Sequence, residues 1–300
     1  MRAARYSSFG GPEVLEIVDI PDPHPGPGEI RIAVRAAGIN PIDWKVRQGL
    51  MGGDLPNGTG QEAAGIVDEL GEGVSGVAVG DEVFGHAQGN GAAQHAVLRN
   101  WAPIPVGLDF AGAAALPVAV ETAVRGLDLL AVGAGGTVLV DGAGGGVGSA
   151  AVQIARNRGA RVIGTAREPN HAYLRSLGAE PVTYGEGLED RVRALAPDGV
   201  DAAFDVAGGG QLPALIALAG GPEHVLAIAD YTSAERYGVR FSGGPGTAQA
   251  LDAIREIGTD IEAGRFSLPV SRTFALEEIA EAQRASAGGH VRGKLVLVVD

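Results

Sequence analysis

The sequence predicts a two-domain α/β protein, with short antiparallel strands first and a doubly wound parallel sheet after them. Three observations predict it. Residues 1–116 carry brief alternating strands cut by Gly and Pro; residues 117–264 change to a rhythm of apolar strand, Gly turn and helix; and 265–300 close with one more helix and strand. A chain of 300 residues is long enough for two cores.

In the first region the strands are Val14-Leu-Glu-Ile-Val18, Glu29-Ile-Arg-Ile-Ala-Val-Arg35, Ala64-Gly-Ile-Val-Asp-Glu-Leu70, Asp81-Glu-Val-Phe84 and Ala93-Gln-His-Ala-Val-Leu98. The alternation in Ile30-Arg-Ile-Ala-Val34 leaves one wet face, the pattern of an antiparallel barrel or sandwich. Pro21-Asp-Pro-His-Pro-Gly-Pro-Gly28 lacks the N–H groups a helix or central strand needs and reads as a loop. In the second region Thr137–Asp141, Ala160–Gly164, Ala202–Asp205 and His224–Ala229 are near-continuous apolar strands, which places them in a parallel sheet covered on both faces. A helix near Leu276–Ala287 and a strand Lys294–Val299 end the chain.

Composition excludes several functions. Without cysteine there are no disulfides, thiolate nucleophiles or cysteine-bearing zinc sites. A net charge of −13 disfavours nucleic acid and anionic membrane surfaces as partners. No apolar run approaches the ~20 residues a membrane span requires, and no secretion signal is read at the start, so the expected location is cytoplasmic.

The chemistry concentrates in Asp141-Gly-Ala-Gly-Gly-Gly-Val-Gly148. Aligned on its last glycine this is Ala143-x-Gly145-x-x-Gly148, with Gly146 and Val147 opening the helix that follows. Residue 143 leaves the strand tightly, Gly145 lets backbone approach a pyrophosphate, Gly148 lets helix pack on strand, and the helix start donates N–H groups to phosphate. A strand before it and a helix (Val147–Arg156) after it supply the context of a Rossmann dinucleotide site.

The second strand ends Val162-Ile-Gly-Thr165-Ala-Arg167. An NAD enzyme places an acid there to accept from ribose hydroxyls. Here Ala166 stands in that place, with Thr165 and Arg167 on either side, and a guanidinium binds a phosphate bidentately. NADPH is therefore the expected cofactor. The alternative is a solvated Arg167, with Glu168 as the acid.

Five ordered motifs carry a wider resemblance: Ala37-Gly-Ile-Asn-Pro-Ile-Asp-Trp-Lys45, Gly60-Gln-Glu-Ala-Ala-Gly-Ile-Val67, Gly80-Asp-Glu-Val-Phe84, Asp141–Gly148 and Arg292-Gly-Lys-Leu-Val-Leu297. Together they resemble the medium-chain dehydrogenase/reductase superfamily, in its zinc-free quinone oxidoreductase (zeta-crystallin-like) branch. The resemblance implies a GroES-like β-barrel catalytic domain (1–116 and 265–300) with an inserted Rossmann NADPH-binding domain (117–264), and a nicotinamide in the cleft. It places Asn40 and Thr122 beside the nicotinamide, Tyr184 near the adenosine phosphate, and Ala227 and Ala229 on the strand end that holds the carboxamide. Zinc relatives carry Cys where this chain has Asn40 and His-Glu where it has Gln61-Glu62; neither replacement is a strong zinc ligand, so no metal is expected. Without a Lewis acid, simple alcohols lose their main activation, whereas a quinone or enone is already electrophilic. A homodimer is a further implication.

Other residues stay open. Lys45, in what reads as a loop, is either a donor to the reduced carbonyl or an ion-pair partner of Asp43 or a neighbour. Trp44 is pocket wall or barrel packing. His86 and His95 flank a Gly-rich loop and read as ordinary hydrogen-bonded histidines. Glu62 reads as an anchor for the loop or an arginine, and Lys294 as structural or phosphate-edge. The expected reaction is hydride transfer from NADPH to a quinone or α,β-unsaturated carbonyl. The alternatives are an enoyl-thioester reductase and a non-catalytic NADPH-binding protein.

Overall fold

The computed structural model describes residues 1–87, 89–244 and 247–300. It divides into two compact units, one of 1–119, 251–264 and 268–300, the other of 120–250 and 265–267.

The first unit is built on a seven-stranded sheet. Its path runs Val270–Ala275, Lys294–Val298, Ile30–Ile39, Glu62–Leu70, Glu82–His86, Asn100–Pro103, with His95–Leu98 also paired to Ile30–Ile39. Every pairing is antiparallel except that of Val270–Ala275 with Lys294–Val298. The alternation read from sequence is realised in the central strand. Ile30, Ile32 and Val34 are buried, and Arg31 and Arg35 face outward. Each such aliphatic stabilises the barrel by about 1.5–3 kcal/mol relative to exposure. A smaller sheet, Glu16–Asp19, Arg2–Tyr6 and Asn57–Gly58, lies beside it. The strand expected at Val14–Val18 begins later, because Pro12 starts a short 3-10 turn, Pro12–Val14.

Two elements differ from expectation. Residues 41–47 form a helix, Pro41–Arg47, where a loop was expected. Pro41 has no N–H to lose at the first helical position, and the Asp43 side chain accepts the Asn40 N–H at 2.7 Å. The helix Ala253–Glu262, expected with the nucleotide domain, belongs to the first unit. It buries Ala253, Ile254 and Ile257, and Asn100 Nδ2 donates to the Leu251 carbonyl at 2.8 Å.

The second unit holds a six-stranded parallel sheet in the order Glu180–Val182, Arg161–Thr165, Thr137–Asp141, Ala202–Asp205, Val225–Ala227, Arg240–Phe241. The chain winds outward from Thr137–Asp141 in one direction, then returns to its other side. That reversal creates a crevice at the carboxyl ends of the two central strands, where Rossmann sheets bind ligands. Residues 231–244 contain a helix (Tyr231–Tyr237) and a short strand (Arg240–Phe241); Pro245 and Gly246 lie outside the described residues, as does Gln88 of the Gly-rich loop between His86 and His95. Among the described residues no helix is long and apolar enough to cross a membrane.

Candidate active site

The strand Thr137–Asp141 runs into the glycine turn, and the helix Gly146–Asn157 leaves it. Gly142 has φ +87°, a left-handed conformation that costs an L side chain. Gly148 is glycine for space: a Cβ there would stand 2.3 Å from the Gly142 carbonyl oxygen and 2.7 Å from Ala143 Cα. On the outer side of the turn a Cβ on Gly145 would meet only the Gly142 oxygen, at 3.7 Å. The helix start has no side-chain cap and no acid in its first turn. The N–H groups of Gly146, Val147 and Gly148 therefore remain for an anion, in a turn open enough to admit a pyrophosphate. Ala143 is buried behind it, its N–H donated to the Thr165 carbonyl at 3.0 Å.

Beneath the turn, three side chains form a row across neighbouring strands. Thr165 Oγ donates to Asp141 Oδ1 at 2.5 Å and accepts the Gly142 N–H at 2.9 Å, and Asp205 is the register partner of Asp141. Burial pushes the Asp141 carboxyl up to about 6; the Thr165 bond pulls it down, and the Asp205 charge adds to the rise. Thr165 was expected as a cofactor contact. It is instead buried, with its hydroxyl engaged by Asp141 and Gly142.

Ala166 is buried where an acid was expected, and Arg167 is exposed. The Arg167 guanidinium makes no hydrogen bond or ion pair with the described residues. Tyr184, past the strand Glu180–Val182, is exposed as well. Ala227 is buried at a strand end, and its carbonyl accepts from Ser242 N at 2.9 Å; Ala229 follows, half-buried. Thr122 sits in the helix Pro117–Leu129 and donates to Glu121 Oε2 at 3.3 Å, beside the Glu121–Arg125 ion pair at 2.7 Å.

In the first unit Asn40 belongs to a buried polar cluster. Lys294 Nζ donates to Asn40 Oδ1 and, at 2.6 Å, to Glu62 Oε1. Asn40 Nδ2 donates to the same Glu62 oxygen at 2.7 Å, and Glu62 Oε2 accepts the Val118 N–H at 2.7 Å. Asn40 and Lys294 are each 4% exposed and Glu62 is fully buried. Strand register assembles the group, since Leu295 pairs with Ile39 and Ala63 with Ala37 at one end of the sheet. Gly38 makes the room: a Cβ there would stand 2.1 Å from Glu62 Oε1 and 2.6 Å from the Ala114 carbonyl. Asp43 adjoins the cluster, its carboxylate accepting from the N–H groups of Asn40 and, at 3.3 Å, Gly60. Burial pushes Asp43 up to about 7, against the pull of those bonds and of Lys294.

Sequence reasoning missed most of this cluster. Glu62 was expected to anchor the loop or an arginine; it is held by Lys294 and accepts the Val118 N–H. Asp43 turns inward to the backbone, and Lys45 lies with Nζ 5.6 Å from the Trp44 ring centre. The available signal was Lys294 itself, one of only two lysines, opening an otherwise apolar strand. His95 stands 3.4 Å from Asp68 and 3.7 Å from Asp22, and His86 is 3.5 Å from Asn100 Nδ2.

Residues 26–124 match the alcohol dehydrogenase GroES-like domain family, and residues 177–297 the zinc-binding dehydrogenase family. A 2-methylene-furan-3-one reductase of Solanum lycopersicum is 30% identical over 99% of this chain and 79% of its own length. The chain belongs to the medium-chain dehydrogenase/reductase superfamily, in its quinone oxidoreductase-like branch. The quinone oxidoreductase from Coxiella burnetii superposes with a TM-score of 0.87 at 32% identity, covering 100% of this chain and 99% of that one. A segment of the spectinabilin polyketide synthase protein NorB of Streptomyces orinoci is 35% identical over 98% of this chain, which spans 14% of that protein. The fold is thus one that binds a nicotinamide cofactor, and the glycine turn fits it.

Zinc, for which one matched family is named, does not fit the residues present. The ammonium of Lys294 already binds the two oxygens, Asn40 Oδ1 and Glu62 Oε1, that a cation would need. Gln61 offers an amide where an imidazole would bind.

Proposed function

We propose that this protein is an NADPH-dependent oxidoreductase that reduces quinones or other α,β-unsaturated carbonyls without zinc. The observation that carries it is the Lys294 ammonium bonded to Asn40 and Glu62, which leaves hydrogen-bond donors but no Lewis acid at this position. Acceptors that are electrophilic before they bind suit such a site; simple alcohols and ketones do not.

Gly145, Gly146, Val147 and Gly148 hold the pyrophosphate, and Arg167 with Tyr184 receives the adenosine phosphate end. Thr122, Ala227 and Ala229 of the second unit, and Asn40 of the first, are the nicotinamide contacts that the family resemblance implies. When bound, the reduced cofactor supplies the hydride. The protein's part is to orient the acceptor, exclude water and donate hydrogen bonds to the oxyanion as it forms. Lys45 is the candidate donor with an ionisable proton. A cytoplasmic homodimer, joined along the exposed edge strand Arg240–Phe241, completes the proposal.

The test is NADPH oxidation against a panel of quinones, enones and saturated ketones. Turnover with the first two classes and none with the third is expected. For the cofactor, Arg167→Ala should weaken NADPH binding by about 10–100-fold and leave NADH within about threefold, the loss of one charge-assisted phosphate contact. An unchanged NADPH/NADH ratio would remove Arg167 from the site.

One observation favours a second reading, enoyl-thioester reduction: the full-length match to a polyketide synthase segment. Including an enoyl-CoA and an enoyl-carrier thioester in the panel separates the two, because the second reading predicts preference for those thioesters.

A further inference from the structure

Asn40 has a fixed amide. Its Oδ1 is taken by the Lys294 ammonium and one Nδ2 hydrogen by Glu62 Oε1, while Nδ2 finds no second acceptor among the described residues. A carboxamide carries two N–H donors, so one remains. Rotating the amide would set its NH₂ against the ammonium and its oxygen against the carboxylate. Such a flip is disfavoured on both sides at once.

The surroundings are shaped for this arrangement. Glu62 has both oxygens satisfied, by Lys294 and Asn40 on one and Val118 N on the other. Gly38 leaves the space its carboxylate fills. An ammonium buried to this degree is costly unless paired and hydrogen-bonded, and Lys294 is both. Removing it would leave the Asn40 oxygen without a donor and Glu62 with uncompensated charge.

We propose that Lys294 is a positioning residue for the reaction, locking the Asn40 carboxamide so that its remaining N–H meets the oxygen of the reduced acceptor. The inference rests on the proposed reductase function and deepens it. The ammonium, one hydrogen bond behind the amide, polarises that N–H and stabilises the oxyanion without touching it. Lys294 thus does at one remove what a metal does by direct contact.

The test compares wild type, Lys294→Met, Lys294→Gln, Asn40→Ala and the Asn40→Ala/Lys294→Met double variant. NADPH affinity is read by fluorescence titration and the saturating single-turnover rate with a quinone by stopped flow. Asn40→Ala and Lys294→Met should each slow the rate by about 10–100-fold, Lys294→Met with NADPH affinity within about threefold, and the double variant should be no slower than the slower single. A Lys294→Met protein that is folded and within about twofold of wild type, or losses that multiply in the double variant, would overturn the proposal. Should Lys294→Met not fold, Lys294→Gln, which keeps a donor but no charge, decides: a loss of about tenfold or more supports the proposal and a wild-type rate overturns it. Wild type that reduces no acceptor at all refutes the reductase reading, and this inference with it. Wild type that turns over beside unimpaired Lys294 variants refutes this inference alone.

Discussion

Asp43 is a carboxyl that the fold prefers neutral, although two backbone N–H groups and the Lys294 charge favour its ionised form. Burial is the largest influence and raises it from 3.8 to about 7. Between these values the folded chain holds a proton that the unfolded chain releases. The associated stability is complete below the lower value and is lost as pH rises through the upper one. Asp43→Asn has no proton to lose, so its thermal midpoint should fall less than that of wild type between about pH 5 and about pH 8. Equal slopes for the two proteins would mean that Asp43 is not the group responsible. Asn40 and Arg167 could be singled out from sequence because a motif fixes their position in the chain, and their roles are part of the proposal. Glu62, Lys294 and Asp43 were not, because their meeting depends on the pairing of Ile30–Ile39 with strands from two distant parts of the chain.

At the scale of elements, the glycine turn was the best-read part of the sequence. The strand Thr137–Asp141 and the helix Gly146–Asn157 stand where pattern and motif place them, because local periodicity and glycine spacing specify both. Gly148→Ala tests the packing reason directly. Its methyl group would press on the Gly142 carbonyl and Ala143 Cα, both backbone atoms, and nothing there yields without moving the turn. A loss of about 1–3 kcal/mol in unfolding free energy is expected, together with a large loss of NADPH affinity. Stability and affinity both equal to wild type would show that the turn does not hold helix and strand in this contact. The helix Pro41–Arg47 was read as a loop because it is only 7 residues long, too short for a periodic signal. Its evidence lay in capping chemistry, with Pro41 first and Asp43 reaching back to Asn40. The helix Ala253–Glu262 has strong amphipathic character, but periodicity does not say which core its apolar face will join.

For the whole molecule, the two-unit α/β organisation was legible because two different rhythms, alternating strands and strand–turn–helix, occupy different stretches of the chain. The exact partition was not, since 251–264 returns to the first unit while 265–267 stays with the second. The proposed zinc-free chemistry rests on one arrangement, the Lys294 ammonium bonded to Asn40 and Glu62, and on that proposal the arrangement sets which acceptors are reducible. A protein first treated with a strong chelator should therefore keep its full reductase rate, and added zinc should not raise it; a rate lost to chelator and restored by zinc would contradict the assignment of Lys294, Asn40 and Glu62. The most direct measurement is stopped-flow NADPH oxidation by the chelator-treated protein, with a quinone, an enone and a saturated ketone compared at equal concentration. Rapid oxidation with the quinone or enone and none with the ketone is the predicted result. Oxidation by none of the three, despite tight NADPH binding, would contradict the account.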